Sequence, residues 1–148
     1  MRKLIYAALL VAALASPVQR TDVGKLRPVE VISVAQTAEG YTIRTDTGDL
    51  GKGVTLLDAY YDLKATAAGV IYLDTAEYLL QETQIDQMDV LRELLKPNVR
   101  VCAAEPGLPL EGSGRYLDIH QPQTHLKDSA AYQKLEILWE DGGRYHLE

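Results

Sequence analysis

The chain has 148 residues, of which 21 are acidic and 15 basic, so its formal net charge is −6. This length is enough for one compact domain with its own hydrophobic core. A net negative surface repels nucleic acids and anionic headgroups, which argues against nucleic-acid and peripheral-membrane partners. Cys102 is the only cysteine, so no disulfide can form within one chain. It lies in the apolar run VRVCAA, where a free cysteine usually acts as a small buried hydrophobic residue.

Residues 1–15 carry the pattern of a secretory signal peptide. Arg2 and Lys3 precede a twelve-residue apolar run, Leu4 to Ala15, that ends in an A-x-A cleavage site. Such a run spans about 18 Å as a helix, which is too short for a bilayer core of roughly 30 Å. We therefore predict Sec-type export to the extracellular space or the outer face of the membrane, with no transmembrane segment after cleavage. Loss of the two basic residues would leave a net charge near −8.

The remainder divides into an irregular leader, residues 16–28, and a single domain, residues 29–148. Val29 to Ala35 is rich in β-branched residues, and Tyr41 to Thr47 alternates with a period of two. The short glycine turn between them predicts an N-terminal β-hairpin.

The segment Gly48–Ala65, GDLGKGVTLLDAYYDLKA, raises the possibility of a phosphate-binding loop. A Walker A motif requires G-x-x-x-x-G-K-[ST]. Here Asp46 stands where the first glycine is required, and Gly53 replaces the hydroxyl residue after Gly51 and Lys52. The glycine spacing is also the reverse of the dinucleotide fingerprint. The glycines therefore predict a flexible connection from a strand to a helix.

A helix is predicted to begin after Thr55. Thr55 as N-cap with Asp58 three residues later resembles a capping box. Asp58 and Asp62 are predicted to face water. The residues predicted to pack on the sheet are Leu56, Tyr60 and Leu63.

The middle of the chain alternates apolar runs with helical periodicity. Val70 to Leu73 predicts a strand covered on both faces, whereas Tyr78 to Gln81 fits either a strand or a helical turn. Helical spacing over Met88–Leu95 ends before Pro97, and Val99 to Ala104 predicts another buried strand.

The last third begins with a loop rich in proline and glycine, Pro106 to Gly114, followed by a short helix over Arg115–His120. Alternation around the turn at Asp141-Gly142-Gly143 predicts a C-terminal β-hairpin. The pattern as a whole predicts an α/β fold, with a mixed β-sheet, two main helices, an N-terminal β-hairpin and a C-terminal β-hairpin.

The polar residues do not form a recognisable catalytic set. His120 and His125 could in principle bind zinc with Cys102, but their spacing matches no zinc motif. Ser113 stands in G-S-G rather than in the G-x-S-x-G of a nucleophile elbow. We therefore predict no catalytic residue, no metal site and no cofactor.

One ligand site is predicted, at Asp74, Thr75 and Glu77. These residues follow the predicted buried strand Val70–Leu73. Ligands in α/β folds bind at the carboxyl ends of strands, so the prediction depends on that strand being part of the main sheet.

The stretch VTLLDAYYDLKATAAGVIYLDTAEYLLQE resembles the N-terminal domain of the spore-germination Ger(x)C family, the C subunits of germinant receptors. The similarity is one of element order and covers roughly Val29 to Gly107. The chain differs from that family in lacking the lipid-bearing cysteine at the predicted mature N-terminus and the large C-terminal domains. Thr75 also stands where the family usually has a histidine. The resemblance implies a non-enzymatic exported domain and no catalytic residue.

Three functions remain open at this point. The first is an exported bacterial, non-catalytic domain that binds a protein or an envelope or spore-surface partner, with a germination-related role implied by the resemblance. The second is a small secreted hydrolase or ligand-binding protein with a site near Asp74 and Glu77. The third is a structural component of an envelope or spore layer.

Overall fold

Eight strands form one mixed sheet around which the rest of the chain folds. The computed structural model describes residues 26–129 and 134–148. The predicted signal peptide, and residues 16–25 of the predicted leader, lie outside the described residues. The elements in chain order are β1 (Leu26–Pro28), β2 (Val31–Thr37), β3 (Gly40–Thr45), β4 (Leu50–Gly53), α1 (Leu56–Thr66), β5 (Val70–Tyr72), β6 (Tyr78–Gln81), α2 (Met88–Leu94), β7 (Arg100–Ala104), α3 (Ser113–Ile119), β8 (Thr124–His125), β9 (Ile137–Asp141) and β10 (Arg144–Leu147). Two 3-10 helices, Leu73–Thr75 and Leu126–Asp128, complete the described part.

The strand order in the sheet is β10-β9-β7-β6-β2-β3-β4, with β8 paired to one end of β7. Four neighbouring strands, β9, β7, β6 and β2, run parallel to one another. The antiparallel pairs β2–β3 and β9–β10 confirm the two predicted hairpins. The predicted α/β fold with a mixed sheet is therefore confirmed, and β6 is a central strand rather than a helical turn.

Two hydrophobic clusters cover the two faces of the sheet. The first cluster lies under α1 and α2 and includes Ile32, Leu79 and Val101 from the central strands. The second lies under α3 and includes Leu80 and Cys102. Successive strand residues thus alternate between the two clusters, as the pleat of a β-strand requires.

The glycine-rich segment is a strand, not the flexible connection that was predicted. Leu50–Gly53 forms β4, which pairs with β3 through Tyr41↔Gly53 and Ile43↔Gly51. A Cβ atom added to Gly51 would lie 2.6 Å from the Leu63 Cβ atom, and one added to Gly53 would lie 2.6 Å from the Asp58 Cβ atom. The two glycines therefore allow helix α1 to pack directly on the backbone of β4.

The predicted start of α1 is confirmed in its geometry. The Thr55 side-chain oxygen accepts a hydrogen bond from the Asp58 N–H at 3.1 Å, as an N-cap residue does. Tyr60 is half-buried and packs against the first hydrophobic cluster, as the sequence pattern predicted. Asp62 does not simply face water, because its Oδ2 atom accepts a hydrogen bond from the Lys52 N–H at 2.8 Å. The buried residues of the helix are Leu56, Ala59 and Leu63.

The strand predicted at Val70–Leu73 is present, but the prediction that both of its faces are covered is wrong. β5 covers Val70–Tyr72 and pairs only with β1, in a separate two-stranded parallel sheet. Val70 and Tyr72 are exposed rather than covered on both faces. The predicted irregular leader also needs correction at its end, because Leu26–Pro28 forms β1.

Side chains close part of each edge of the main sheet. The bond from the Lys52 N–H to Asp62 occupies the outer edge of β4. At the opposite edge, the Leu147 N–H of β10 donates to the Tyr116 hydroxyl at 2.9 Å. These bonds use backbone groups that could otherwise pair with another chain. None of the described helices is long and apolar enough to cross a lipid bilayer.

Cys102 is fully buried in the second hydrophobic cluster, and burial, with a smaller effect of Glu136, raises the pKa of its thiol to about 12. We therefore expect no reaction with Ellman's reagent in the native protein at pH 8 within minutes, and one thiol per chain after unfolding in urea. Thiolate rather than thiol is the reactive form. Rapid labelling of the folded protein would contradict the buried position.

Candidate functional site

The predicted ligand residues Asp74, Thr75 and Glu77 lie between β5 and the amino end of β6, not at the carboxyl end of a strand of the main sheet. Asp74 is exposed in the 3-10 helix. The Thr75 hydroxyl has a structural position, because it accepts a hydrogen bond from the Val29 N–H at 3.0 Å. Of these three residues, only Glu77 lies in a group of neighbouring carboxylates. The prediction depended on Val70–Leu73 being a strand of the main sheet. Because that strand lies outside the main sheet, ligand binding at these residues stays a prediction that the strand position no longer supports.

Glu77 belongs to a group of three carboxylates with Glu30 and Asp118. One oxygen of each lies within 4.8 Å of the others, close enough in principle to hold a cation. The Tyr78 hydroxyl donates to Asp118 Oδ1 at 2.7 Å. Burial, a hydrogen bond with Asp118 and the charges of Asp118, Glu77 and Asp46 raise the pKa of Glu30 to about 7. Burial, the hydrogen bond to Asp118 and the charges of Asp118, Glu77 and Glu30 also raise the pKa of Tyr78.

The raised pKa of Glu30 predicts a loss of stability on going from acidic to neutral pH. Folded Glu30 keeps its proton up to a pH of about 7, whereas the unfolded group loses it near the ordinary glutamate pKa of 4.5. The stabilisation that protonated Glu30 gives the folded state is therefore complete below pH 4.5 and is lost as the pH rises through 7. We expect the thermal unfolding midpoint to fall between about pH 5 and pH 8. The decline should be smaller in Glu30→Gln and unchanged in Glu39→Gln, which alters an exposed turn residue. Equal slopes in all three proteins would contradict the assignment.

Two other polar residues considered from the sequence, Ser113 and His120, contact neighbouring residues of the fold. The Ser113 hydroxyl is buried and donates to the Leu110 carbonyl oxygen at 2.6 Å. His120 stacks on Tyr116 with ring centroids 4.5 Å apart. Within the described ranges, the three-carboxylate group is the one set of His, Cys, Asp or Glu side chains found close enough to share a metal ion, and Cys102, His120 and His125 are not part of it.

A broad concave surface lies at the carboxyl ends of β6 and β7, beside the β9–β10 hairpin. This groove has a volume of about 1000 Å³. In open α/β sheets, ligands bind outside the carboxyl ends of the parallel strands. The residues that line the groove are Gln81, Glu82, Thr83, Gln84, Ala103, Ala104, Glu105, Pro106, Leu135, Ile137, Trp139, Glu140 and Asp141.

The apolar part of the groove comes from one side of β9 and the end of β7. Ile137 is 48% exposed, which is high for an isoleucine in a sheet. Trp139 stacks on His146 of β10, with ring centroids 4.2 Å apart and an angle of 20° between the planes. Because β10 lies on the side of β9 away from β7, the opposite indole face is turned toward the groove. Trp139 is the only tryptophan of the chain, so its fluorescence reports on this surface alone.

The polar part of the groove is acidic. Glu82 forms an ion pair with Arg44 and accepts a hydrogen bond from the Ser33 hydroxyl at 2.9 Å. The other three carboxylates, Glu105, Glu140 and Asp141, form no ion pair within the described part of the chain. None of the described residues lining the groove is a lysine, arginine or histidine.

A half-buried tryptophan beside carboxylates that form no ion pair within the described residues is suited to a cation with an apolar body. Ammonium and guanidinium groups are attracted both by carboxylates and by the face of an indole ring. The amide of Gln84 adds a hydrogen-bonding group on the other flank, where the Thr83 hydroxyl accepts from the Gln36 N–H and the Gln81 amide donates to the Met88 sulfur.

Reasoning from the sequence did not find this groove. It correctly predicted the C-terminal hairpin that carries Trp139 and Glu140. It did not predict that β9 pairs with β7, which brings residues about 35 positions apart to one surface through Ala103↔Ile137 and Ala104↔Leu138. The sequence feature that could have indicated the groove was the combination of a tryptophan with two acidic residues in ILWED.

Comparisons with known proteins leave the geometry as the basis for function. No protein-family model matches the chain, and no curated protein and no solved structure matches it.

Proposed function

We propose that the chain is an exported, non-catalytic binding domain, and that the groove at the carboxyl ends of β6 and β7 holds a cationic group of a protein or envelope partner. The observation that carries the proposal is the pairing of Trp139 with three carboxylates that form no ion pair within the described residues. Export through the Sec pathway, to the extracellular space or the outer face of the membrane, rests on the pattern of residues 1–15. A spore-associated, germination-related role rests only on the resemblance of element order.

The charge of the groove gives the binding proposal a direct test. We expect an acetylated and amidated Lys-Val-Lys-Val-Lys peptide to change the Trp139 emission in a saturable way, and the matching peptide with glutamate in place of lysine to have no effect. Glu105→Gln combined with Asp141→Asn should weaken binding about fivefold, because each exposed charge contributes roughly half a kcal/mol. Binding should also weaken as the salt concentration rises.

The matched control for this double variant is Glu39→Gln combined with Glu93→Gln. It makes the same change in net charge at two exposed residues that do not line the groove. Equal weakening in both double variants would mean that only the overall charge of the protein attracts the peptide. That result, or the absence of saturable binding, would refute the proposal.

A second candidate function is a secreted hydrolase or ligand-binding protein with a site near Asp74 and Glu77. The observation that favours it is Glu30, which lies within 4.8 Å of Glu77 and whose pKa of about 7 keeps part of it protonated at neutral pH. A thermal-shift screen with divalent cations and common metabolites tests this candidate. A stabilising ligand whose effect disappears in Asp74→Ala or Glu77→Gln would place the function at this end of the sheet.

A further inference from the structure

Strand β9 extends beyond the end of its neighbour β7. The two strands pair only through Ala103↔Ile137 and Ala104↔Leu138. The chain leaves the sheet after Glu105, where Pro106 and Gly107 form a turn. β9 continues to Asp141 and remains paired with β10 as far as Arg144. The last three residues of β9 therefore have a strand on one side only.

The backbone of Glu140 points to the open side. Ile137 and Glu148 exchange two hydrogen bonds, at 2.7 and 3.1 Å, so they form a hydrogen-bonded pair of the β9–β10 ladder. Such pairs alternate along an antiparallel ladder, which directs the N–H and C=O groups of Leu138 and Glu140 away from β10. Consistent with this, the Leu138 carbonyl oxygen accepts a hydrogen bond from the Glu105 N–H on the β7 side, at 3.0 Å. Glu140 lies two residues further along, where β7 has already turned away.

The open side of Glu140 faces the groove. A chain placed in line with β7 would lie roughly 4.8 Å from β9, the normal spacing of neighbouring strands. Its side chains on one face of the sheet would meet Trp139, and those on the other face would lie beside Glu140. Glu105 and Asp141 lie at the two ends of this stretch. Positive side chains in an extended segment would therefore meet a carboxylate on either face.

We propose that the groove binds an extended segment of a partner protein that carries lysine or arginine, and that this segment adds to the sheet as a short strand at the open edge of β9. The inference rests on the proposed function, because it specifies how the cation-bearing partner is held. Main-chain hydrogen bonds to Glu140 give the register of the segment, while Trp139 and the carboxylates select its positive side chains.

A scan of backbone N-methylation in the Lys-Val-Lys-Val-Lys peptide tests this geometry on the full chain. N-methylation of one residue at a time removes one N–H donor and leaves the charge unchanged. The open stretch of β9 offers one free acceptor, the Glu140 carbonyl oxygen, so we expect methylation of the one residue whose N–H donates to it to weaken binding about fivefold and methylation of the other residues to have little effect. Trp139 emission gives the readout.

The outcomes separate this inference from the proposed function. Equal effects at all positions, together with normal dependence on Glu105 and Asp141, would overturn strand addition and leave cation binding intact. The same conclusion would follow if N-acetyl-lysine methylamide bound as tightly as the pentapeptide. Failure of every lysine-containing probe to bind would refute both proposals. One sensitive position in the scan, together with weaker binding of the unmethylated peptide to Glu105→Gln combined with Asp141→Asn, would support both.

Discussion

Replacing Gly51 with alanine is expected to lower the free energy of unfolding by about 3 kcal/mol, at the upper end of the usual range for overpacking. The added Cβ atom would lie 2.6 Å from both the Cβ and N atoms of Leu63 and still closer to the carbonyl oxygen of Ala59. Two of these three atoms belong to the helix backbone, so they cannot rotate away. The whole of α1 would have to move from β4, together with Leu56 and Leu63, which are fully buried.

Urea denaturation at equilibrium measures this effect, and Lys52→Ala is its control. Lys52 lies between Gly51 and Gly53 but is exposed. Its truncation should change the free energy of unfolding by no more than about 0.5 kcal/mol. If Gly51→Ala lost less than about 1 kcal/mol, the close approach of the helix to the strand would be contradicted.

The second large effect is expected at the ion pair between Arg44 and Glu82. The Glu82 side chain is 9% exposed and that of Arg44 is 28% exposed. Replacing Arg44 with methionine would leave the Glu82 carboxylate largely buried with only the Ser33 hydroxyl as a partner. We expect a loss of about 3 kcal/mol, since an unpaired buried charge is strongly destabilising.

Variants of Glu82, alone and combined with Arg44→Met, test this prediction. Glu82→Gln should cost less, because Arg44 also donates to the Leu108 carbonyl oxygen at 3.1 Å and is nearer to solvent. Arg44→Met combined with Glu82→Leu should recover most of the stability, because neither charge is then left without its partner. A double variant as unstable as the sum of the two single variants would show that the pair is not energetically coupled.

The elements that could be predicted from the sequence are those determined by the pattern of residues close together in the chain. The period of two in the hairpins, the Thr55 cap and the helical spacing around Met88 and Leu91 all correspond to elements in the structure. Each depends on residues within one turn or one pair of neighbouring strands. For this reason the mixed α/β fold could be predicted without any knowledge of long-range contacts.

The elements that could not be predicted depend on partners far along the chain. The apolar run at Val70–Leu73 matches a buried strand, yet β5 pairs only with β1 and exposes Val70 and Tyr72. The two glycines of β4 disfavour a strand by propensity. They are required because a helix packs against them, which is a tertiary contact. Periodicity carries no information on either contact.

The candidate site also depends on contacts between residues that are far apart in the chain. The sequence predicted Asp74, Thr75 and Glu77 from the expected position of one strand, and that strand lies outside the main sheet. The groove depends on the parallel pairing of β7 with β9 and on the unequal lengths of these strands. Only the assembled sheet brings Glu105 near Trp139.

Mapping of backbone amide shifts by NMR tests the central claim most directly, because it locates the bound cation-bearing peptide on the molecule. A titration of the isotopically labelled chain with the Lys-Val-Lys-Val-Lys peptide should shift the amide signals of Thr83, Glu105 and Glu140. Those of Glu30, Glu77 and Asp118 should stay in place. Shifts confined to the three carboxylates at the amino end of β6, or small shifts scattered over all acidic residues, would contradict a binding site in the groove.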